Sequence, residues 1–336
     1  MDKRTSPFFF YLEYSSEQYG TEEKSSEGGF PLKRTNVGGQ AVIEGVMMRG
    51  KKTYAMAVRN PEGGITLEKD SCNGLGGKLG LFKLPIFRGM AAFVDSLVMG
   101  TKILMRSAEL AGEGIVEEEG EPSKFETFLE NKLGSKLNEY LIYFSVTLSL
   151  IMGVLLFILL PVWLGSFFKT FVPVWALGII EGLIRIVIFL IYIFAISKMK
   201  EIQRVFQYHG AEHKTINCLE KELPLTVENV KTCTRLHKRC GTSFLLIVMI
   251  ISMIVFFFVR TDNLLFRFVS RIVLVPFVAG LSYEVIKWAG SSDGKLVAII
   301  SYPGLCLQKI TTSEPDDGQI ETGIAAMKGV LEDEPE

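Results

Sequence analysis

The feature that most constrains this chain is a pair of long apolar segments that contain no charged residue. Residues 141–164 and 241–259 hold no Asp, Glu, Lys or Arg. A helix needs about 20 apolar residues to cross the hydrocarbon core of a bilayer. The alternative, that these segments are core helices of a large soluble protein, is disfavoured because two charge-free runs near full span length are hard to bury. The segments therefore indicate a membrane protein.

Two further apolar segments contain charges. Residues 172–196 include Glu181 and Arg185, whose i,i+4 spacing could let them neutralise each other on one helix face. Residues 264–288 are a weaker candidate, interrupted by Arg267, Arg271 and Glu284. Charges inside a span usually mark a bundle interior or a wet cavity. The four segments predict an α-helical polytopic membrane protein with about four transmembrane helices.

The basic residues predict how the helices are oriented. The loops 165–171 and 260–263 each contain a single basic residue, Lys169 and Arg260 respectively. The long loop 197–240 contains nine basic residues: Lys198, Lys200, Arg204, Lys214, Lys221, Lys231, Arg235, Lys238 and Arg239. Cytoplasmic loops are enriched in Lys and Arg. This loop is therefore predicted to be cytoplasmic, and with four spans both termini are cytoplasmic too.

The amino-acid composition indicates which kinds of partner the protein binds. The net charge is −1 and no basic patch is interleaved with aromatic residues, so no nucleic-acid partner is predicted. Five scattered cysteines without a C-x-x-C pair favour a reducing compartment. The lipid bilayer is the predicted partner, cytoplasmic proteins are further candidates, and a transporter of four spans would need an oligomer.

The polar parts suggest a small N-terminal cytoplasmic β-containing region and amphipathic helices. Strand-like runs at 38–50, 53–59 and 65–69, with a turn at 61–64, predict an antiparallel sheet. Helical spacing of apolar residues within 81–108 predicts a helix that packs on the sheet or lies on the membrane. The predicted regions are a disordered tail 1–35, the sheet and helix region 36–139, spans 140–196, the loop 197–240, spans 241–289 and a C-terminal region 290–336.

Within the strands, Glu44 and Arg49 are candidate functional residues. A lone Glu and a lone Arg among strand residues are more often simply solvated than functional. Towards the C-terminus, Pro315, Asp316 and Asp317 predict a helix start.

All three histidines lie between His209 and His237, and two of them form an H-x-x-E-H pattern with Glu212. On a helix, residues four apart share one face, so His209 and His213 can bind one metal ion. The pattern is similar to the zinc motif of the inverzincins. His237 is the predicted third ligand, and Cys240 is an alternative or a fourth.

Three interpretations of this motif stay open. In the first, zinc or another divalent metal is catalytic and Glu212 is the general base that activates water. In the second, three His and one Cys form a closed structural zinc site without chemistry. In the third, no metal binds and the imidazoles make ordinary hydrogen bonds.

Several blocks together resemble the YqhQ family, an uncharacterised bacterial membrane family often described as predicted metal-dependent enzymes. They are residues 38–50, 208–216 (Tyr-His-Gly-Ala-Glu-His-Lys-Thr-Ile), 237–244, 280–287 and 311–315. Lys238 departs from the Pro expected there. The resemblance implies a multi-pass protein of the bacterial cytoplasmic membrane with a metal site, and it implies no substrate.

The sequence thus predicts a membrane-embedded metal-dependent hydrolase whose site faces the cytoplasmic interface. A non-enzymatic scaffold or assembly factor with a structural metal is the first alternative. A transporter that uses Glu181 and Arg185 with the basic residues of the fourth span is the second.

Overall fold

In a computed structural model, the described residues are 37–72, 84–112, 137–238, 240–259, 261, 263–290 and 295–332. The predicted tail 1–35 lies outside them. The strands are β1 (Gly38–Val42), β2 (Gly45–Arg49), β3 (Thr53–Arg59) and β4 (Ile65–Ser71). The helices are α1 (Phe87–Leu110), α2 (Leu137–Val154), a π-helical turn (Leu155–Leu159), α3 (Leu160–Ser166), α4 (Val174–Ile196), α5 (Lys200–Glu220), α6 (Val227–Thr232), α7 (Gly241–Phe257), α8 (Leu264–Val273), α9 (Val275–Gly290), α10 (Lys295–Thr311) and α11 (Asp317–Leu331).

The chain divides into two compact units. The first, here called the sheet unit, comprises the described residues up to Gly112, Tyr192–Ile251 and those from Pro276 onwards. The second, here called the helical unit, comprises the described residues from α2 to Ile191 together with Ser252–Val275.

The sheet unit is built on an antiparallel meander in the order β1-β2-β3-β4, which confirms the predicted sheet. Successive strand residues point to opposite faces of a sheet. Val46 and Met48 of β2 therefore face one core, whereas Met47 between them faces the other. Both faces are apolar in the two central strands, so both must be covered.

Helices cover the two faces. Ile103 of α1 packs on the face of Met47 and Met56, which confirms a helix that packs on the sheet. The alternative location of α1, on the membrane surface, stays a prediction. Tyr208 and Ile216 of α5, with Met327 of α11, pack on the face of Val46 and Met48. Most of the segment 197–240, described above as a loop, thus forms α5 and α6, and α5 belongs to this core.

Not all four apolar segments form helices of full span length. Among the described residues, Phe144–Ser166 and Val174–Ile196 are long and apolar enough to cross a membrane. The third predicted span is α7, which is 17 residues long and shorter than a full span. The fourth is broken by a bend of 47° between α8 and α9, and it gives a third span if the pair is counted as one. Two or three candidate spans are therefore present where the sequence predicts about four.

Charges inside the helical unit pair differently from the i,i+4 expectation. Glu181 accepts hydrogen bonds from Arg267 and Arg271, and the Arg271 Nη2 atom lies 2.9 Å from its carboxylate. Arg185 instead donates to the Phe157 carbonyl and to the Ser252 hydroxyl, each at 2.8 Å. Helix α8 presents two cations to Glu181, so the carboxylate is neutralised across helices rather than along α4.

Candidate metal centre

The H-x-x-E-H motif lies in the middle of α5, in a continuous buried stretch from Tyr208 to Cys218. The stretch is buried because α5 lies between the sheet and the segment that follows α10. At Gly210 an added Cβ would lie 2.0 Å from the Ser313 carbonyl oxygen. Only glycine therefore permits this close approach of the segment after α10, which brings Thr311 to His209.

Three donor atoms meet beside α5. The Nε2 atom of His209 lies 3.2 Å from the Sγ atom of Cys240. Ligand atoms of His209, His213 and Cys240 all lie within 4.8 Å of one another. His213 is 1% exposed and His209 is 9% exposed, so water hardly competes for these donors. Nitrogen and sulfur donors at such separations suit a tetrahedral zinc ion with a fourth position left over.

Backbone carbonyls orient both imidazoles. The Nδ1 atom of His209 lies 2.8 Å from the Thr311 carbonyl oxygen, and that of His213 lies 2.6 Å from the Arg235 carbonyl oxygen. Metal-bound histidines usually donate their second N–H to such a group, which leaves the other nitrogen for the metal. The Nε2 atom of His213 is buried and has no hydrogen-bond partner among the described residues. The donor set and this unpartnered atom therefore fit a metal ion.

Electrostatics favour an ionised thiol in this cluster. Burial opposes a charge on Cys240, but the charge of His213 together with the hydrogen bond and charge of His209 outweighs it and holds the thiol pKa well below its usual range. Burial also opposes a charge on His209, yet the hydrogen bond and charge of Cys240, with the charge of Glu212, raise its pKa to about 9. A thiolate is the form of cysteine that binds metals.

Glu212 lies beside the three donors without belonging to the group. Its carboxyl is 5% exposed, and burial raises its pKa, against the opposing charges of His209 and His213. The backbone N–H of Ala41 donates to it. An added Cβ on Gly39 would lie 2.7 Å from its Oε1 atom. The first strand of the sheet thus holds this carboxyl from the opposite side.

His237 is close to the cluster but has another partner. Its ring centroid lies 5.8 Å from that of His213, and its Nε2 atom lies 3.3 Å from the Glu220 carboxylate. Gln308 fixes its backbone by accepting from the N–H at 2.9 Å and donating to the carbonyl at 2.8 Å. The structure therefore brings together His209, His213 and Cys240, and pairs His237 with Glu220. Glu220 follows His213 by two helical turns, a spacing from which sequence reasoning could have identified it.

The remaining predicted residues lie elsewhere. Glu44 has a positive φ of 51° in the turn between β1 and β2, and it pairs with Arg204 and with the Tyr208 hydroxyl at 3.2 Å. Arg49 ends β2, opposite Tyr54 of β3. Glu181 and Arg185 belong to the helical unit. Glu44 therefore joins the sheet to α5, outside the group of metal donors.

Fold and site together define a class: a mostly helical membrane-associated protein with a small α/β unit that carries a cluster of two buried imidazoles and one partly buried thiol. The family described as "Protein of unknown function (DUF1385)" matches residues 84–333. The chain is also 40% identical over 302 residues to the "Uncharacterized protein YqhQ" of Bacillus subtilis (strain 168), covering 88% of this chain and 92% of that protein. The chain belongs to this YqhQ/DUF1385 family, as its motifs predict. No solved structure matches.

Proposed function

We propose that this protein is a membrane-embedded metal-dependent hydrolase that acts at the cytoplasmic membrane interface. The observation that carries the proposal is the group of His209, His213 and Cys240 donors within 4.8 Å, with the buried Nε2 atom of His213 left without a partner. Two protein nitrogens and one thiolate leave a fourth position, which is the arrangement of catalytic rather than structural zinc. Zinc bound there would supply Lewis acidity at neutral pH.

The residues of the chain divide the work in this proposal. His209, His213 and Cys240 hold the ion, and the Thr311 and Arg235 carbonyls keep each Nε2 atom aimed at it. Glu212 accepts a proton from the attacking water and returns it to the leaving group. Burial raises its pKa, which is the direction in which a carboxyl group is shifted when it serves as a general acid–base group. Membrane-adjacent peptides and lipid-linked molecules are the substrate classes that fit the location.

The location is part of the proposal. The apolar segments and the family predict a bacterial cytoplasmic membrane protein with four spans, in which the short α7 and the bent pair α8–α9 each cross once. The excess of basic residues in the segment 197–240 predicts that the four strands, α5 and both termini lie in the cytoplasm. The two candidate spans of full length support the membrane assignment.

Metal analysis of the purified full-length protein tests the site. The wild type is expected to hold about one zinc or other divalent ion per chain. His213→Ala and Cys240→Ser are expected to lose it, because each removes one of only three donors. A wild type purified without metal, and unable to take up zinc, contradicts the proposal.

The catalytic part needs a variant that spares the metal. Glu212→Gln is expected to retain the ion and yet fail to restore a deletion phenotype. Glu222→Gln is the matched control, since this carboxylate near the end of α5 is exposed. If Glu212→Gln restores the phenotype as well as the control, the hydrolase is excluded even when metal is present.

The burial of the histidine donors favours a second candidate function, that of a scaffold or assembly factor with a structural metal. The two imidazole donors, His209 and His213, are only 9% and 1% exposed. A closed site without access for substrate is typical of structural zinc. In that case Glu212→Gln is harmless, whereas His213→Ala and Cys240→Ser lower the unfolding temperature.

A further inference from the structure

The helical unit contains a cluster of buried charges that do not balance. Its members are Glu181, Arg185, Arg267 and Arg271, which are between 1% and 6% exposed. Among the described residues of this unit, three buried guanidinium groups thus accompany a single buried carboxylate. Arginine keeps its proton inside proteins, so the excess of two positive charges cannot be removed by titration. A buried charge needs a partner of opposite sign.

The single carboxylate already accepts hydrogen bonds from two of the three guanidinium groups. One Glu181 oxygen accepts from Arg267, and the other accepts from the Nη2 and Nε atoms of Arg271 at 2.9 and 3.2 Å. Arg185 finds only neutral acceptors, the Phe157 carbonyl and the Ser252 hydroxyl. Among the described residues Arg185 therefore has no carboxylate partner, and the single charge of Glu181 cannot neutralise three arginines.

Two donor atoms are left over in this cluster. The Nη2 atom of Arg185 and the Nη1 atom of Arg271 are buried and have no hydrogen-bond partner among the described residues. Both guanidinium groups lie against the ring of Phe256, with their central carbons 5.2 and 4.3 Å from its centroid. The ring thus gathers two like charges in one place, where a neutral acceptor would satisfy the hydrogen bonds but not the charge.

We propose that Arg185 and Arg271 bind one small inorganic anion of the halide class beside Phe256. The anion accepts from the two free N–H groups and neutralises part of the excess charge. Phosphate-bearing headgroups are too large and too hydrated for a position between side chains that are less than one-tenth exposed. The site is separate from the metal centre and does not depend on the proposed hydrolase.

Halide titration of the full-length protein tests the site. Detergent-purified protein is moved into gluconate buffer, and chloride or bromide is added at constant ionic strength. Saturating halide is expected to raise the unfolding temperature by about 2–4 °C, because a ligand stabilises the state that binds it. Chloride-35 NMR of the wild type should show line broadening that bromide competes away. A wild type without saturable stabilisation and without broadening overturns the proposal.

Variants locate the site. Arg185→Gln is expected to remove both the halide-dependent rise and the line broadening. Lys169→Gln removes one positive charge at an exposed position and should respond as the wild type does. Arg185→Lys keeps the charge in case the neutral variant does not fold, and it should bind halide at least tenfold more weakly because it lacks the planar fork. Unchanged halide affinity in the folded Arg185 variants also overturns the proposal.

Discussion

At the scale of single residues, the candidate site depends on a contact that only a glycine allows. Gly39→Ala would bring a Cβ to 2.6–2.7 Å from the side chain of Glu212. Overpacking of this kind costs about 1–3 kcal/mol. We expect the variant to lower the free energy of unfolding by that amount and to displace the Glu212 carboxyl. Chemical denaturation of the purified protein measures it.

The neighbouring glycine provides the control for this prediction. An added Cβ at Gly38 meets nothing within 4 Å. Gly38→Ala removes the same backbone freedom from the same strand, and it should change the free energy of unfolding by less than about 0.5 kcal/mol. Equal losses in both variants would show that strand flexibility, not the contact with Glu212, decides the effect.

The sequence identifies the donors only as far as local spacing allows. Residues four apart on a helix share a face, so the motif is enough to place His209 and His213 together. The third donor depends on contacts across the chain. Gln308 hydrogen-bonds to the backbone of His237, and the Glu220 carboxylate hydrogen-bonds to the His237 Nε2 atom. Nothing in the spacing of His237 and Cys240 shows that the cysteine, not the histidine, reaches the pair.

At the scale of elements, the start of α11 is a strong local signal. The Asp316 carboxylate accepts from the Gln319 N–H at 2.8 Å, and the Gln319 side chain accepts from the Asp316 N–H at 2.9 Å. Loss of such a capping box costs about 0.5–2 kcal/mol. We expect Asp316→Ala to lower the free energy of unfolding by about 1 kcal/mol, measured by denaturant titration.

The conservative variant separates the cap from the charge. Asn is as good an N-cap as Asp, so Asp316→Asn should retain nearly wild-type stability. If the Asn variant loses as much stability as the Ala variant, the negative charge near the helix N-terminus is responsible and the capping interpretation is wrong.

Elements with local determinants were predictable, whereas those set by packing were not. A few neighbouring residues determine two of these features. The turn around Gly63 reverses the chain between β3 and β4, and the cap at Asp316 begins α11. The break between α8 and α9 has a local signal too, because Pro276 lacks an N–H and cannot lie inside a regular continuous helix, so it falls in the first turn of α9. The pairing of Glu181 with α8, in contrast, requires knowing which helices are neighbours.

At the scale of the whole molecule, orientation across the membrane can be tested with native lysines. Lys169 lies in the short predicted outer loop, whereas Lys328 lies on α11, and both are exposed. A membrane-impermeant amine reagent should label Lys169 in intact cells and should label Lys328 only after the membrane is opened. Mass spectrometry of the purified protein gives both yields. Labelling of Lys328 in intact cells would reverse the predicted topology.

The sheet unit is assembled from three stretches of the chain that the two stretches of the helical unit separate. Composition shifts divide the sequence into an N-terminal region, a central loop and a C-terminal region, because composition is read along the chain. The three regions pack into one unit because they bury each other's apolar side chains. Met327 and Tyr208, for example, cover strands that precede them by more than a hundred residues. No local pattern carries that information.

This interleaving has a consequence for biosynthesis. The four strands leave the ribosome early, while α11, which covers one of their faces, comes about 250 residues later, or roughly 10–50 s at usual elongation rates. During that interval part of the apolar face of Val46 and Met48 stays uncovered, even after Tyr208 and Ile216 of α5 have been synthesised. Nascent chains therefore need a chaperone, or the bilayer itself, to occupy this face until translation ends.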